Sequence, residues 1–336
     1  MEERNVKFFI SMPRGEVTDT FFTSKVMEKL REQGEVICNT TDHNLDADEI
    51  VQMAYSADVI ICGWGTVKFT KDLVKRLPNL KIIAYTAGSM APVVEKETFE
   101  TGVVALTGNY IFAQSVAEGC LTYTLCALRE IEKYMNIVRN GGWRSESFYN
   151  RGLIGKKVGL IGFGEIAKQF VKLLKPFEVE ILVNSSHVSL EETKAYGVSV
   201  ATKEEIFSEC DIVSLHMSLT EKTVGVIDRK LLEMLKPDAV FVNTARGRIV
   251  DCEALEELLS EGRFSAALDV FHQEPLDEDS VLRKLKNVVL LPHMGGPTID
   301  MRENIALSFI KDFKAYKENR PMKNVFKPES LQYMTK

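Results

Sequence analysis

Three side chains with complementary chemistry follow short apolar runs in the second half of the chain. They are Arg246, Glu274 and His293. The preceding runs are 239–243, 266–270 and 288–291. Short apolar runs of this kind are typical of buried strands in a parallel sheet, whose carboxyl ends meet at one edge. The sequence therefore predicts that a guanidinium, a carboxylate and an imidazole lie together in one crevice.

These groups suit the reduction of a carbonyl that stands next to a carboxylate. The reaction needs a proton donor that titrates near neutrality, and histidine is such a donor. We predict that His293 is this acid, that Glu274 bonds its other ring nitrogen, and that Arg246 holds substrate oxygens in a bidentate grip. The alternative is structural, because a histidine after a proline can be a core residue and an Arg–Glu pair can simply support the fold.

The segment Val158–Ala167 has the pattern of a dinucleotide-binding turn. Gly162 permits the turn, Gly164 lets the backbone approach a pyrophosphate, and the small Ala167 lets the following helix pack on the strand. A lone glycine triplet also occurs wherever a glycine turn enters a helix, but a second strand at Val179–Val183 completes a βαβ unit. The predicted cofactor-binding residues are Gly162, Phe163, Gly164, Glu165, Ile166, Asn184, Ser185, His216, Thr244 and Ala245.

The first hundred residues alternate between strand and helix patterns and predict an open parallel sheet covered by helices. A single helix is expected over Thr18–Gln33, stopped by Gly34. Two loops, Gly63–Thr66 and Thr86–Met90, follow strands and are expected at the ligand-binding edge. The alternative is that their glycines only make turns. The predicted substrate-binding residues are Gly63, Trp64, Gly65, Ala87, Gly88 and Ser89.

A long helix is expected to start at Ser115, with Glu118 completing a capping box. The helix carries an apolar stripe and leads into an aromatic segment, which is either core or a dimer surface. The stripe is Leu121, Leu125, Leu128 and Ile131, and the aromatic residues are Trp143, Phe148 and Tyr149.

Composition restricts the class of protein. The 336 residues are 45% hydrophobic and 27% charged, which is typical of a soluble globular protein with room for two domains. A net charge of −6 without a basic stripe argues against a nucleic-acid partner. The six cysteines form no CxxC pair, so reduced thiols and no metal site are expected. No stretch is expected to approach a membrane span, and the charged start is unlike a signal peptide, so a cytoplasmic protein is expected.

Four segments, taken together, resemble the signatures of the D-isomer-specific 2-hydroxyacid dehydrogenases. They are Gly159–Ala167, Asn243–Gly247, Leu268–Pro275 and Pro292–Thr298. The resemblance runs from about Lys7 to Lys314. It implies a Rossmann dinucleotide-binding domain at 113–299, inserted in a flavodoxin-like substrate domain made of 1–112 and 300–336, and a homodimer. It also implies that Asp269 lies beside the nicotinamide and that Gly295 belongs to the cofactor site.

The sequence departs from that family in places that concern the ligands. Gly63 stands where an arginine is common, and Ala91 where an acidic residue is common, so a bulkier or less anionic acid than 3-phosphoglycerate is expected. Asn184–His187 contains neither the acid typical of NAD sites nor an arginine typical of NADP sites. We expect NAD, because no lysine or arginine lies between Val183 and Lys194. The alternatives are an NADP-dependent glyoxylate or hydroxypyruvate reductase and a non-catalytic, corepressor-like dinucleotide sensor.

Overall fold

The computed structural model describes residues 6–145, 150–186 and 188–335. The described residues divide into two compact units, one made of those up to Ala113 together with those from Pro297 onward, and the other of those within Gln114–Gly296. The strands are β1 (Val6–Ile10), β2 (Gly34–Cys38), β3 (Val59–Cys62), β4 (Ile82–Tyr85), β5 (Val104–Thr107), β6 (Lys157–Ile161), β7 (Glu180–Asn184), β8 (Ser199–Val200), β9 (Ile212–Leu215), β10 (Val240–Asn243), β11 (Ser265–Leu268) and β12 (Val288–Leu290).

The α-helices alternate with these strands. They are α1 (Glu16–Phe21), α2 (Ser24–Arg31), α3 (Ala47–Ala54), α4 (Lys71–Lys75), α5 (Asn109–Leu128), α6 (Ile131–Arg139), α7 (Glu165–Leu174), α8 (Leu190–Tyr196), α9 (Lys203–Glu209), α10 (Arg229–Glu233), α11 (Cys252–Ser260) and α12 (Ile299–Lys317). The predicted α/β class is confirmed.

The first unit has a parallel sheet in the order β2-β1-β3-β4-β5, which is the flavodoxin-like order of a doubly wound fold. Its central strands are buried along their length, because helices cover both faces of the sheet. Phe9 lies in the core on one face and Phe8 in the core on the other, as expected from the alternation of side chains along a strand.

The second unit has a parallel sheet in the order β12-β11-β10-β9-β6-β7-β8. The strand order reverses between β6 and β9, so the carboxyl ends of these two strands frame the crevice where doubly wound sheets bind ligands. Gly159 in β6 lets α9 pack on the sheet, because a Cβ there would lie 2.3 Å from the side chain of Ile206. The predicted glycine turn therefore stands at the switch point of this sheet.

The single helix predicted over Thr18–Gln33 is wrong, because the chain forms α1 and α2 with a break at Phe22 and Thr23. Thr23 accepts a hydrogen bond from the backbone N–H of Val26 and so caps α2. Gly34, expected to stop the helix, is instead the first residue of β2.

The predicted start of the long helix at Ser115 is also wrong, because α5 already begins at Asn109. The Ser115 hydroxyl is buried inside the helix without a hydrogen-bond partner among the described residues. Leu121 and Leu125 of the predicted stripe are only partly buried. The buried face consists mainly of small and polar residues, namely Ala113, Ser115, Val116, Ala117, Cys120, Tyr123, Thr124, Ala127 and Leu128.

The helix α5 also corrects the expectation about membrane spans. Its 20 residues and a mean hydropathy of 1.2 are enough for a helix to cross a membrane by length and composition. Half of that apolar stretch is buried within the structure, and the core helix of a soluble protein passes the same test. The helix is therefore only weak evidence for a membrane span.

Candidate active site

The glycine turn after β6 has the geometry that a dinucleotide turn requires. Gly162 has a φ of 101°, and a Cβ on it would lie 2.7 Å from the backbone carbonyl of His216, so a larger residue would not fit. Gly164 caps α7, and a Cβ there would meet nothing within 4 Å. Open space beside the first turn of this ten-residue helix leaves its backbone N–H groups able to bind a phosphate. Glu165 and Ile166 are the first two residues of that helix.

The ribose end of the predicted cofactor site lies where β7 ends. Asn184 is the last residue of β7, and its side-chain amide donates to the backbone carbonyl of Ala201 at 2.8 Å. Ser185 follows it, and His187 lies outside the described residues. Phe163 in the glycine turn contacts the ring of Tyr196 edge-on, with the ring centroids 5.5 Å apart.

His216 directs its backbone toward the glycine turn and its ring into the protein. The imidazole packs against Phe170, with centroids 5.5 Å apart, and both ring nitrogens are buried without a hydrogen-bond partner among the described residues. Burial lowers the pKa of His216 to about 3, so the ring is neutral at physiological pH. The contact that His216 offers at the turn is its main chain, beside Gly162.

The loop after β10 is fixed by the buried side chain of Asn243. Its amide donates to the carbonyl of Arg246 at 3.1 Å, and its oxygen accepts from the N–H of Ala245 at 3.0 Å. The Thr244 hydroxyl contacts the thiol of Cys120 at 3.0 Å. Arg246 donates to the carbonyl of Ala245 at 2.6 Å. Burial lowers the pKa of Arg246 and the charge of Glu274 opposes this, so the guanidinium stays protonated.

Gly247 lets this loop lie against the loop after β11. A Cβ on Gly247 would lie 2.0 Å from the backbone carbonyl oxygen of Phe271, so no side chain can be accommodated there. Phe271 in turn donates its backbone N–H to Oε1 of Glu274 at 3.0 Å. The close approach of the two backbones therefore ties the loop of Arg246 to the loop of Glu274.

Asp269 ties the loop after β11 to the loop after β12. Its carboxylate is buried and accepts from the backbone N–H groups of Met294 and Gly295, both at 2.8 Å. A Cβ on Gly295 would lie 2.7 Å from this carboxylate, which explains the glycine. Burial raises the pKa of Asp269, while the two backbone hydrogen bonds and the charge of His293 oppose the rise. Asp269 thus orders the loop that carries the histidine.

His293 and Glu274 form a direct pair. Nδ1 of His293 lies 2.6 Å from Oε2 of Glu274, and the other carboxylate oxygen is held by Phe271. An ionised Glu274 makes Nδ1 the donor, which leaves Nε2 as the free ring nitrogen. The His293 side chain is 45% exposed, and its Nε2 has no partner within the described ranges. The pair can therefore move a proton to or from a bound molecule at Nε2.

The predicted substrate loops lie in the first unit. The segment Gly63–Gly65 follows β3, with Gly63 buried and Trp64 40% exposed. Ala87 and Gly88 lie in the loop after β4, and their carbonyls accept hydrogen bonds from the hydroxyl of Thr107 at the end of β5. The hydroxyl of Ser89 donates to the carbonyl of Thr335 at 2.8 Å, so a protein group already uses it.

The second unit thus brings together Arg246, Glu274, His293 and the glycine turn at one edge of its sheet, and the predicted substrate residues form a separate set in the first unit.

Sequence reasoning missed the role of Asn243 in fixing the arginine loop. The signal was present, because an asparagine at a strand end often bonds its own backbone two residues on. The described residues contain no cluster of three or more His, Cys, Asp or Glu side chains that could hold a metal ion. All six cysteines lie in this part of the chain, and none of them forms a disulfide there.

Comparison with known proteins places these features in one family. Residues 121–295 match the family model described as D-isomer specific 2-hydroxyacid dehydrogenase, NAD binding domain. A glyoxylate reductase of Thermococcus litoralis is 33% identical, over 79% of this chain and 82% of the relative. A hydroxypyruvate reductase of Thermotoga maritima is 32% identical, over 83% and 90%. The structure of a phosphoglycerate oxidoreductase from Rhizobium etli has the same fold, with a TM-score of 0.80 at 23% identity over 95% and 98%.

Proposed function

Because the chain belongs to the D-isomer-specific 2-hydroxyacid dehydrogenase family, we propose that Arg246, Glu274 and His293 carry the reaction of that family. The chain is an NAD(P)-dependent oxidoreductase that acts on the CH–OH group of 2-hydroxy acids and reduces the corresponding 2-oxo acids. One observation carries the assignment of residues. It is the 2.6 Å contact of His293 with Glu274, which leaves Nε2 of the histidine free.

The three side chains divide the chemistry among them. The glycine turn after β6 would hold the nicotinamide dinucleotide, which would supply the hydride for the keto carbon when bound in its reduced form. Nε2 of His293 donates a proton to the keto oxygen, so the ring must be protonated before the transfer. Glu274 stabilises this imidazolium through its contact with Nδ1. Arg246 holds the substrate carboxylate and brings the reacting carbon to near-attack distance. In the direction of oxidation, His293 accepts the proton from the hydroxyl group.

The cofactor is NAD or NADP, and we propose NAD as the preferred one. The open space at Gly164 and the constrained turn at Gly162 suit a pyrophosphate. Asn184, at the end of β7, offers no charge to a ribose phosphate. Lys168, on the first turns of α7, is paired with Glu192 at 2.7 Å and so is not free to bind one. We assign the other predicted contacts to the same site, namely Phe163, Glu165, Ile166, Ser185, His216, Thr244, Ala245, Asp269 and Gly295.

The substrate is a small 2-oxo acid, and we propose that the loops of Gly63–Gly65 and Ala87–Ser89 bind it in the first unit. Glyoxylate and hydroxypyruvate are the first candidates, because reductases named for them are among the relatives. We also propose a cytoplasmic homodimer. The helix α6 has no buried residue and exposes Ile131, Met135 and Val138 at helical spacing, which suits a surface covered by a second copy.

The test is the loss of reduced-nicotinamide absorbance with purified protein. NADH and NADPH are offered in parallel against glyoxylate, hydroxypyruvate, pyruvate and bulkier 2-oxo acids. We expect turnover with at least one acid and a higher kcat/KM with NADH. Tight dinucleotide binding by calorimetry with no turnover of any acid would contradict a catalytic role and favour a dinucleotide sensor.

A further inference from the structure

Residues 324–335, which we call the tail, lie in the first unit and begin along the outer edge of its sheet. The backbone N–H of Thr107 in β5 donates to the carbonyl of Asn324 at 3.0 Å, and the N–H of Phe326 donates to the carbonyl of Ala105 at 2.8 Å. The side chain of Phe326 is buried in the core of the same unit. The tail therefore starts from a fixed position and covers the edge strand β5.

The other end of the tail reaches the loop after β4. Beyond a 3₁₀ helix at Pro328–Tyr333, the carbonyl of Thr335 accepts a hydrogen bond from the hydroxyl of Ser89 at 2.8 Å. The sulfur of Met334 accepts from the backbone N–H of Met90 at 3.4 Å, and its side chain packs against the apolar core around this loop. Two consecutive residues of the loop are thus bonded to two consecutive residues of the tail.

The contact with Met334 satisfies a group that water cannot reach. Met90 is fully buried, and a buried N–H that lacks an acceptor costs free energy. The beginning of the loop is held differently, because the hydroxyl of Thr107 donates to the carbonyls of Ala87 and Gly88. The loop is therefore held at its start by β5 and at its end by the tail.

Holding the loop in this way affects any ligand that binds to it. Fixing the backbone of a mobile residue costs conformational entropy, and a ligand that must order its own loop loses that free energy from its affinity. The contacts of Ser89 and Met90 with the tail are made within the folded protein, so the ordering of the loop belongs to folding and not to ligand binding. A ligand of this loop should therefore bind more tightly when the tail is in place.

We propose that Met334 and Thr335 are positioning residues for the substrate, because they hold the loop after β4 in the shape that binds it. The proposal rests on the proposed function, since it takes this loop as a substrate loop. It assigns the Ser89 hydroxyl to the tail, so Ser89 acts by fixing the loop rather than by bonding the substrate. All of the contacts that carry the proposal lie within the first unit. Loss of these contacts should raise KM and leave kcat and dinucleotide affinity nearly unchanged.

The first variant is a chain that ends at Tyr333 and so lacks both contacts. We expect KM for glyoxylate and hydroxypyruvate to rise by about tenfold, as the loss of two weak hydrogen bonds supplies, with kcat within about twofold. Ser89→Ala should raise KM by about threefold in the full chain. It should add nothing in the shortened chain, because the partner of its hydroxyl is already absent. Gln332→Ala, at an exposed tail position that takes no part in these contacts, is the matched control.

A tail that only stabilises the fold would give a different result. The shortened chain would then lose unfolding free energy in urea but keep the wild-type KM, or the effects of the truncation and of Ser89→Ala on KM would be additive. Either result would overturn the proposal.

Amide hydrogen exchange tests the same contacts without turnover and so separates this proposal from the proposed reaction. In the shortened chain, exchange at residues 86–94 should be faster, because Met90 loses its acceptor, while exchange in β6 of the second unit should be unchanged. Glyoxylate or hydroxypyruvate should slow exchange at 86–94 at a lower concentration in the wild type than in the shortened chain, even if neither acid is reduced.

This exchange pattern in a protein that reduces no acid would support the role of the tail and contradict only the assignment of the catalytic residues. Exchange that the truncation leaves unchanged, equal midpoints in the two proteins, or no response to either acid would overturn the proposal.

Discussion

At the scale of single residues, His293 is held in a backbone conformation that it would rarely adopt alone. Its φ is 51°, in the left-handed region that favours glycine and asparagine. The surrounding contacts impose this conformation. Asp269 fixes the two residues that follow His293, and Glu274 fixes its ring. Such a strained residue at a proposed catalytic position is consistent with a ring whose direction matters for proton transfer.

The contact between Glu274 and His293 could be expected from the sequence, because both residues follow strands that pair with each other in a parallel sheet. Their catalytic roles stay predictions. The roles of Asn243 and Asp269 as loop anchors could not be read from residue types, because they depend on which backbone N–H groups the folded loops present.

Glu274→Gln should lower kcat by roughly two orders of magnitude with little change in dinucleotide affinity. The neutral amide cannot stabilise an imidazolium, and it can present the wrong group to Nδ1 of His293. Steady-state kinetics and calorimetry on the same preparation would measure the two effects. Glu278→Gln, an exposed position in the same loop, should behave like the wild type. An unchanged kcat in Glu274→Gln would remove Glu274 from the mechanism.

His216 should make the unliganded protein sensitive to acid. Its pKa is about 3 in the folded protein, because the ring is buried, and near 6.5 when unfolded. The unfolded chain therefore binds the extra proton between these values, and stability falls with decreasing pH by up to about 1.4 kcal/mol per unit. His216→Phe should flatten this loss in urea unfolding between about pH 6.5 and pH 4. The exposed control His272→Asn should lose unfolding free energy with decreasing pH as steeply as the wild type. A loss equally steep in His216→Phe would contradict the role of His216.

At the scale of elements, helix boundaries were the weakest part of the sequence analysis. The break between α1 and α2 depends on Thr23, whose hydroxyl caps α2 and also donates to Glu303 in α12. The second contact joins residues 280 positions apart, so no local pattern could reveal it. Ser115 and Glu118 have the spacing of a capping box, but the chain is already helical from Asn109. Local capping patterns indicate residues at which a helix can begin, and the packing of the flanking residues determines which of them is used.

Gly247→Ala should lower kcat/KM by more than about tenfold, because displacing a catalytic group by an ångström is enough for such a loss. The new methyl group would collide with the backbone carbonyl of Phe271 and push apart the loops of Arg246 and Glu274. Gly152→Ala is the matched control, since a Cβ there meets nothing within 4 Å. Circular dichroism would verify that both variants fold. Wild-type kinetics in a folded Gly247→Ala protein would show that the packing of these loops does not position the site.

At the scale of the whole molecule, the alternation of apolar runs with helix patterns was sufficient to predict two parallel sheets. The edge strands β5 and β8 were not predicted. The strand β8 has only two residues, both exposed, so it lacks the apolar run on which the prediction relied. Strand order is not encoded in any single segment. The sequence analysis did not predict it, and the right-handed rule for crossovers only reduces the number of possible orders.

The proposed homodimer makes a prediction about α6. Met135→Glu with Val138→Lys would place charges on its exposed apolar stripe, where both side chains are about half exposed. We expect the wild type to elute as a dimer in size-exclusion chromatography with light scattering and the double variant to shift toward monomer. Glu132→Lys with Asn136→Glu, changed on the polar residues of the same helix, is the control. A dimer that persists in the double variant would place the interface elsewhere.

The most direct test of the central claim is the rate of 2-oxo acid reduction by His293→Asn, measured beside its dinucleotide affinity. Asparagine fits the left-handed backbone at this position but has no proton to donate near neutrality. We predict that the cofactor binds as in the wild type and that kcat falls by roughly two to four orders of magnitude. Turnover at the wild-type rate would mean that another group protonates the keto oxygen, and it would contradict the assignment of His293 as the acid.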